Sequence, residues 1–487
     1  MTLALMRLLP NTVIVVFLLI LCAQFNMHVI ARYRVDGGEG GIVAMVDRMS
    51  REPISEKWLT APPLTLSCYG PLYYWVVQGA SRLTGGAGSL TPGRLVSLLA
   101  GMLSMGLIGL AVRRRGGAPD AALLAALLFA TSDPVLTWLP LERVDFLALA
   151  FMLAAYVLAS RSIALAALAI ALGTLTRQTV VLDVIPIAAS LLVTGGRGRA
   201  ARFVALAAGL TLGLVAAAAW QSHGYWLFAA LEANTNAAHP IYGFKNISYI
   251  CYGNASVAAI LVALILAARR PARFFLGCVY LAGFLFHLVL DPLLSCKVGS
   301  NINYLLPFFA LAAVVIGIHG MPILRRLSGG AERMRVIVTA LALLVTVPPV
   351  GSMARLVRTP IGTPEIYPAV LDRIAPDPAP FIVADFEWME IALRSGSTPL
   401  VNDSYLMSLL WDSGKIDRAA ILAALEDGSV KWLLLDKPLE ATVKDRSEYW
   451  PEDVLKAFRR NYKRIHIERE ALPVHDLFVY VYEKPKR

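Results

Sequence analysis

Long apolar blocks alternate with short basic clusters over about the first 350 residues, a pattern typical of a polytopic membrane protein. About 20 apolar residues cross the hydrocarbon core as a helix, and we predict about eleven such spans. The segment 70–84 predicts an interfacial or re-entrant helix instead of a full span. The expected spans lie near 8–30, 92–112, 119–139, 145–160, 162–176, 178–194, 203–221, 254–268, 274–291, 302–320 and 336–351.

The remainder of the chain has the pattern of a small soluble α/β domain. Short apolar runs at 381–385 and 432–436 predict buried strands, and 463–469 and 477–483 predict a strand pair. Helices are expected at 404–413, 417–427 and 451–462. We therefore predict a membrane bundle over residues 1–351 and a soluble domain over 352–487.

Composition supports this division. Hydrophobic residues make up 57% of the chain and charged residues only 16%, against about a quarter charged in soluble proteins. Much of the net charge of +11 lies in arginine-rich loops that share one side if the N-terminus is cytoplasmic. Topology thus explains the positive charge without a nucleic acid partner. We expect a bacterial inner-membrane protein with a retained first span and a periplasmic C-terminal domain.

The cysteines and the glycosylation sequons add little to this picture. The five cysteines form no CxxC pair, so neither a zinc site nor a disulfide framework is predicted. Asn402-Asp403-Ser404 would be a glycosylation sequon only in a eukaryotic lumen.

Four polar clusters fall on the predicted outer face, where charges beside a membrane bundle are costly and therefore candidates for function. Each cluster, in the order given below, also has a structural explanation without a ligand. The first could be a turn that caps a helix, the second an internal ion pair, the third a wrongly placed span boundary, and the fourth a lysine that extends to the membrane interface. Together they offer carboxylates for a hydroxyl and cations for a phosphate. The clusters are Asp36–Gly41, Glu142–Asp145, Thr176–Thr179 and Lys297–Tyr304.

These residues occur in an order that resembles a known family. After Asp36 and Glu39 come Tyr69-Gly70-Pro71-Leu72-Tyr73-Tyr74, then Gly93-Arg94-Leu95-Val96-Ser97, Arg143-Val144-Asp145, Thr176-Arg177-Gln178-Thr179 and Lys297-Val298-Gly299-Ser300. The sequence resembles the GT-C superfamily of membrane glycosyltransferases. Within this superfamily, the sequence most resembles the bacterial branch related to the protein O-mannosyltransferases, the lipid A aminoarabinose transferase and the Rhizobium lipopolysaccharide galacturonosyltransferases.

The resemblance implies inverting transfer of a sugar from a polyprenyl-phosphate donor to a glycan or lipid acceptor. Asp36 would be the general base, and Glu39 would assist it or bind a divalent metal such as Mg²⁺ or Mn²⁺ with it. The transfer could be metal-assisted or metal-independent. Arg143, Arg177 and Lys297 would neutralise the donor phosphate, and Asp145 would orient Arg143. The further substrate-binding candidates are Tyr69, Tyr73, Asn301 and Tyr304.

Two other classes of function stay open. A transporter would need charges near the middle of the membrane, and Asp183 near Pro186 is an acid inside a predicted span. A flippase of lipid-linked saccharides, or a glycan ligase without a phosphate-sugar donor, would also need outward cations. A transporter predicts an internal repeat, which the sequence lacks. A purely structural scaffold leaves the acid and base clusters unexplained. Neither the sugar, the acceptor nor the oligomeric state can be read from the sequence.

Overall fold

The computed structural model describes residues 37–84, 86, 88–233, 236–251, 277–297, 299–320, 368–376, 380–385, 388–440, 450–471 and 476–485. Asp36 and the predicted spans at 8–30, 254–268 and 336–351 lie outside these ranges, as does the predicted domain boundary.

Helices make up the described membrane part. Most of their interfaces are formed by Ala, Leu and Val side chains that are buried against one another. The α-helices are α1 (Gly37–Arg51), α2 (Lys57–Thr60), α3 (Pro71–Thr84), α4 (Thr91–Arg114), α5 (Pro119–Ala130), α6 (Asp133–Trp138), α7 (Asp145–Leu158), α8 (Ile163–Thr176), α9 (Val184–Gln221), α10 (Tyr225–Leu231), α11 (Pro240–Cys251), α12 (Val279–Leu294) and α13 (Leu306–Val315). Shorter helical turns are Gln178–Asp183 and Ile302–Leu305, which are 3₁₀, and Ile316–Gly320, which is a π-helix.

Three helical segments in the described ranges are long and apolar enough to cross a membrane: Thr91–Arg114, Gln178–Gln221 and Ile302–Gly320. Four shorter apolar helices accompany them, namely α5, α7, α8 and α12. The multi-pass helical architecture is therefore confirmed. The number of about eleven spans stays a prediction.

Two helix boundaries differ from the sequence prediction for local reasons. The expected span at 119–139 is divided into α5 and α6, and the backbone of Ser132 between them is extended. Pro134 has no backbone N–H with which to continue the hydrogen bonding of α5, so a new helix begins there. The expected pair at 178–194 and 203–221 is joined in α9. That helix is interrupted at Gly196, whose φ of 79° and ψ of 174° are non-helical.

The C-terminal domain contains a five-stranded sheet with the order β2-β1-β3-β5-β4. The strands β1 and β3 pair in parallel, and β4 and β5 form the predicted pair, which is antiparallel. The central β3 is almost wholly buried, as its continuous apolar sequence predicts. The strands are β1 (Phe381–Ala384), β2 (Thr398–Pro399), β3 (Val430–Leu435), β4 (Lys463–Ala471) and β5 (Asp476–Glu483).

Five helices cover this sheet in the part of the domain that the structure describes. They are α14 (Pro368–Ile374), α15 (Met389–Arg394), α16 (Ser404–Asp412), α17 (Ala419–Asp427) and α18 (Glu452–Asn461). The helix α17 ends at Gly428, whose φ of 95° is the left-handed conformation that favours glycine at this position. The helices at 404–413, 417–427 and 451–462 are thus confirmed within about two residues.

One apolar core joins the two parts. Side chains of α1, α3 and α10 pack in the same cluster as side chains of α16, α17 and β3. The loop before α3 contributes a parallel backbone bridge between Leu64 and Val401. The end of the helical part that carries this contact is called the domain-facing end below.

Candidate active site

Glu39 ties α1 to α4 through a buried ion pair. Its two carboxylate oxygens accept from Nε and Nη2 of Arg94, each at 2.8 Å, and both side chains are fully buried. The backbone N–H of Glu142 also donates to Glu39 Oε1 at 2.8 Å. The glycines around Glu39 belong to the first turns of α1. Glu39 therefore holds three chain segments together.

The same region of α4 fixes Arg143. Ser97 Oγ donates to the carbonyl of Arg143 at 3.0 Å and accepts from its N–H at 3.2 Å. A Cβ added to Gly93 would lie 2.1 Å from the Glu142 side chain, and one added to Gly38 would lie 2.3 Å from the Arg143 guanidinium. Glycine at both positions therefore lets the backbone of α1 and α4 approach the 142–143 turn.

A second cation is held by Asp145 at the start of α7. Asp145 Oδ1 accepts from Arg177 Nη1 and, at 2.9 Å, from Asn303 Nδ2. The Arg177 guanidinium lies 4.3 Å from the centre of the Tyr304 ring. Asp145 was expected to orient Arg143, but its ion pair in the structure is with Arg177. The other oxygen, Oδ2, is buried without a hydrogen-bond partner among the described residues.

Lys297 and Cys68 interact electrostatically with the charged residues of this site. Burial and the nearby charge of Arg177 lower the pKa of Lys297. Burial, followed by the charge of Asp403, raises the pKa of the Cys68 thiol to about 12, while Lys297 and Arg143 act in the opposite direction. Cys68 thus lies within the electrostatic reach of Arg143, Lys297 and Asp403. We call Arg143, Arg177 and Lys297 the cation cluster.

Two further predicted residues, Tyr69 and Tyr73, differ in their surroundings. Tyr69 is half-buried within the fields of Arg143 and Asp145, and burial raises its pKa well above the usual value. Tyr73 is fully buried and its hydroxyl is directed at Gly93 O, 3.4 Å away, so it packs behind the site.

Asn301, which the sequence made a substrate-binding candidate, is exposed. Its exposed side chain accepts from the Ile302 N–H at 2.8 Å and caps the short 3₁₀ turn. The residue that contacts Asp145 is Asn303, two positions later.

A second polar group, which we call the interior cluster, lies deeper between α7 and α12. His287 Nε2 is 2.9 Å from Asp183 Oδ1, and His287 Nδ1 is 2.7 Å from Asp291 Oδ1. The Tyr156 hydroxyl donates to Asp183 at 2.8 Å, and the N–H of Phe308 donates to Asp291 at 3.0 Å. One narrow cavity is lined by Asp145, Arg177 and Tyr304 at one end and by this cluster at the other.

Glu39 does not fit a metal ligand in this arrangement. Both of its oxygens accept from one guanidinium, which also neutralises its charge. Within the described ranges, no group of three or more His, Cys, Asp or Glu side chains is placed to hold a metal ion.

Comparison with known proteins agrees with this architecture. The family model for dolichyl-phosphate-mannose-protein mannosyltransferase matches residues 68–223. The structure of ArnT from Cupriavidus metallidurans bound to undecaprenyl phosphate superposes with a TM-score of 0.61 at 13% identity, covering 96% of this chain and 97% of that one. The chain therefore shares the fold of ArnT. A search of curated protein sequences gave no match.

A second solved structure shares this fold. The oligosaccharyltransferase AglB from Archaeoglobus fulgidus, in complex with an inhibitory peptide and a dolichol-phosphate, has a TM-score of 0.54 at 12% identity. That superposition covers 94% of this chain and 73% of AglB. At 96% and 94% coverage of this chain, the two similarities extend over both its helical part and its C-terminal domain.

Four residues described above were not predicted as functional from the sequence: Arg94, Cys68, Asn303 and Asp403. Arg94 stands in the motif Gly93-Arg94-Leu95-Val96-Ser97, and a basic residue on the predicted outer side was the available signal. Cys68 and Asp403 had no signal of this kind, because their place in the site depends on contacts distant in sequence.

Proposed function

We propose that the chain is a membrane glycosyltransferase that moves a sugar from a polyprenyl-phosphate donor to a cell-envelope glycan or lipid. The observation that carries this proposal is the convergence of the cation cluster around Cys68 and Tyr69 at the domain-facing end. Three cations from separate parts of the chain would bind the donor phosphate at the end of the bundle that contacts the soluble domain. ArnT and AglB, which share the fold, were solved with polyprenyl-type phosphates.

The cations have different roles in this proposal. Arg143 and Lys297 contact the donor phosphate directly. Arg177 carries several N–H groups, so its pairing with Asp145 leaves donors for a phosphate while it fixes the direction of the guanidinium. The ring of Tyr304 supports that guanidinium from one face.

The transfer proceeds by one displacement. An acceptor hydroxyl attacks the anomeric carbon from the face opposite the phosphate and gives its proton to a carboxylate base. The bond from the anomeric carbon to the phosphate oxygen breaks, and its electron pair stays on the phosphate that the cations stabilise. The configuration at the anomeric carbon is therefore inverted in the product. Asp36, which immediately precedes α1, remains the proposed base, and no step passes through a metal.

The test uses purified protein in detergent. Undecaprenyl-phosphate mannose, arabinose, galacturonate and aminoarabinose are offered in turn with lipopolysaccharide, and release of undecaprenyl phosphate is measured. Arg143→Gln and Lys297→Gln should each raise the KM for the donor about 10- to 100-fold, since a hydrogen bond to a charged group contributes about 1.5–3 kcal/mol. The exposed Arg82→Gln in α3 is the matched control.

Two results would contradict the proposal. Unchanged donor KM in both variants removes the phosphate site. Movement of an intact lipid-linked sugar across vesicles without release of undecaprenyl phosphate would instead indicate a flippase. The proposed setting is the bacterial inner membrane with the soluble domain in the periplasm.

A further inference from the structure

We propose that the soluble domain completes the active site by placing the Asp403 carboxylate beside Arg143, where it binds a hydroxyl group of the acceptor. This inference rests on the proposed glycosyltransferase function. It assigns to the C-terminal domain a direct contact with the acceptor, in addition to its packing against the bundle.

The segment before Asp403 is anchored to the membrane part by backbone and side-chain hydrogen bonds. The N–H of Leu64 donates to Leu400 O at 2.7 Å, and the N–H of Asn402 donates to Leu64 O at 3.2 Å. The Asn402 amide accepts from the Leu66 N–H at 2.7 Å and donates to Leu66 O at 2.9 Å. A buried amide with this many partners fixes the position of the next residue.

The same amide reaches α1. Asn402 Nδ2 lies 3.3 Å from the carbonyl oxygen of Gly41. A Cβ added to Gly41 would be 3.2 Å from the Asn402 carbonyl oxygen. The helix that carries Glu39 and the segment that carries Asp403 are therefore held in direct contact.

Asp403 itself begins α16. Its backbone is extended, with φ of −147° and ψ of 94°, and its Oδ1 accepts from the Leu406 N–H at 2.9 Å. Burial raises the pKa of Asp403, whereas the backbone N–H groups of Leu406 and Tyr405 and the charge of Arg143 lower it. Asp403 in turn raises the pKa of Cys68, so the carboxylate lies within electrostatic reach of both Arg143 and Cys68. A carboxylate that caps a helix has further acceptor sites with which it can bind a ligand.

The nearby carboxylates are committed differently. Glu39 is paired through both oxygens with Arg94, and Asp145 uses Oδ1 for both Arg177 and Asn303 while its Oδ2 is buried within the bundle. Asp403 is half-buried, belongs to the soluble domain and lies within electrostatic reach of Arg143. An acceptor that enters between the domain and the bundle would therefore meet Asp403.

The protonation state of Asp403 supplies a second measurable property. Burial raises its pKa to about 6, although the cap hydrogen bond and Arg143 oppose the increase. A carboxylate accepts a hydrogen bond from a hydroxyl group more strongly than a neutral carboxylic acid does. The kcat/KM for the acceptor should therefore fall as pH decreases through about 6.

The experiment compares Asp403→Asn with the wild type, using lipopolysaccharide as the acceptor probe and the donor that the wild type accepts. Asn caps a helix as well as Asp does, so α16 should be preserved. We expect the acceptor KM to rise about 10- to 100-fold and the acidic limb of kcat/KM to disappear. Donor KM and the thermal unfolding midpoint should stay at wild-type values.

Two further variants make the result specific. Asp403→Ser also keeps a capping oxygen without the charge and should reproduce the effect. Asp412→Asn removes an exposed carboxylate at the other end of α16 and should have none. An unchanged acceptor KM in Asp403→Asn and Asp403→Ser, or a rise confined to donor KM, would overturn the inference. Wild-type protein that never releases undecaprenyl phosphate would refute the proposed function itself.

Discussion

The two ends of the cavity next to α7 contain similar numbers of ionisable groups but arrange them differently. In the interior cluster, His287 lies between Asp183 and Asp291, and Tyr156 and a backbone N–H occupy further oxygens. At the domain-facing end, Asp145 has a buried oxygen without a partner among the described residues, and Lys297 is half-buried. A group whose hydrogen bonds are satisfied internally stabilises the bundle, whereas a group with remaining capacity can bind a ligand.

The largest expected effect concerns the interior cluster. His287→Leu would leave two buried carboxylates facing each other without the imidazole between them. Removing one partner of a buried ionic group costs about 3–5 kcal/mol, so the unfolding midpoint in detergent should fall sharply or the protein should fail to fold. The triple variant Asp183→Asn, His287→Leu, Asp291→Asn removes the charges together and should recover much of the loss. A single variant that unfolds like the wild type would contradict the structural role.

An effect on activity without loss of stability is expected at Gly38. An alanine Cβ would lie 2.3 Å from the Arg143 guanidinium, and the flexible end of that side chain can move away. Displacing a binding group by about 1 Å can reduce activity about 100-fold, so Gly38→Ala should raise donor KM strongly.

The matched control is Gly79→Ala in α3, where an added Cβ meets no atom within 4 Å. It should stabilise the protein by about 0.5–1 kcal/mol and leave donor KM unchanged. Equal donor KM values in the two alanine variants would show that Arg143 is not held against α1 in the way the structure indicates.

The smallest effect is electrostatic and can be measured at Cys68. In a variant whose other cysteines, Cys22, Cys251, Cys278 and Cys296, are replaced by serine, the labelling rate reports the thiolate fraction. Asp403→Asn should lower the pKa of Cys68 and increase labelling about two- to fivefold at constant pH, since a change of one pKa unit is tenfold in thiolate fraction. Lys297→Gln should change the rate in the opposite direction, and identical rates would place these charges away from Cys68.

The sequence predicted secondary structure well where the pattern was local. The apolar runs of β1 and β3 and the alternating β5 were recognised because strand burial follows directly from side-chain type. The strand β2 was missed because Thr398 and Pro399 are too few residues to form a pattern. The break before α6 has a clear local signal in Pro134, which the apolar composition of the block concealed.

The site was predictable only in its individual parts. Arg143, Arg177 and Lys297 could be proposed because cations on the outward side oppose the usual charge distribution. The pairing of Asp145 with Arg177, and that of Glu39 with Arg94, depends on helix packing that the local sequence does not specify. Asp403 could be recognised as the start of a helix, but its approach to Arg143 results from the tertiary contacts of Asn402.

The hydrogen bond between Leu66 and Asn402 also has a consequence for biogenesis. These residues are 336 positions apart, so during synthesis the loop before α3 is complete long before its partner leaves the ribosome. In the proposed topology, the acceptor side of the proposed site cannot assemble until the segment around Asn402 has been made and its domain has crossed the membrane. The proposed transferase activity should therefore appear only after this domain has been translocated.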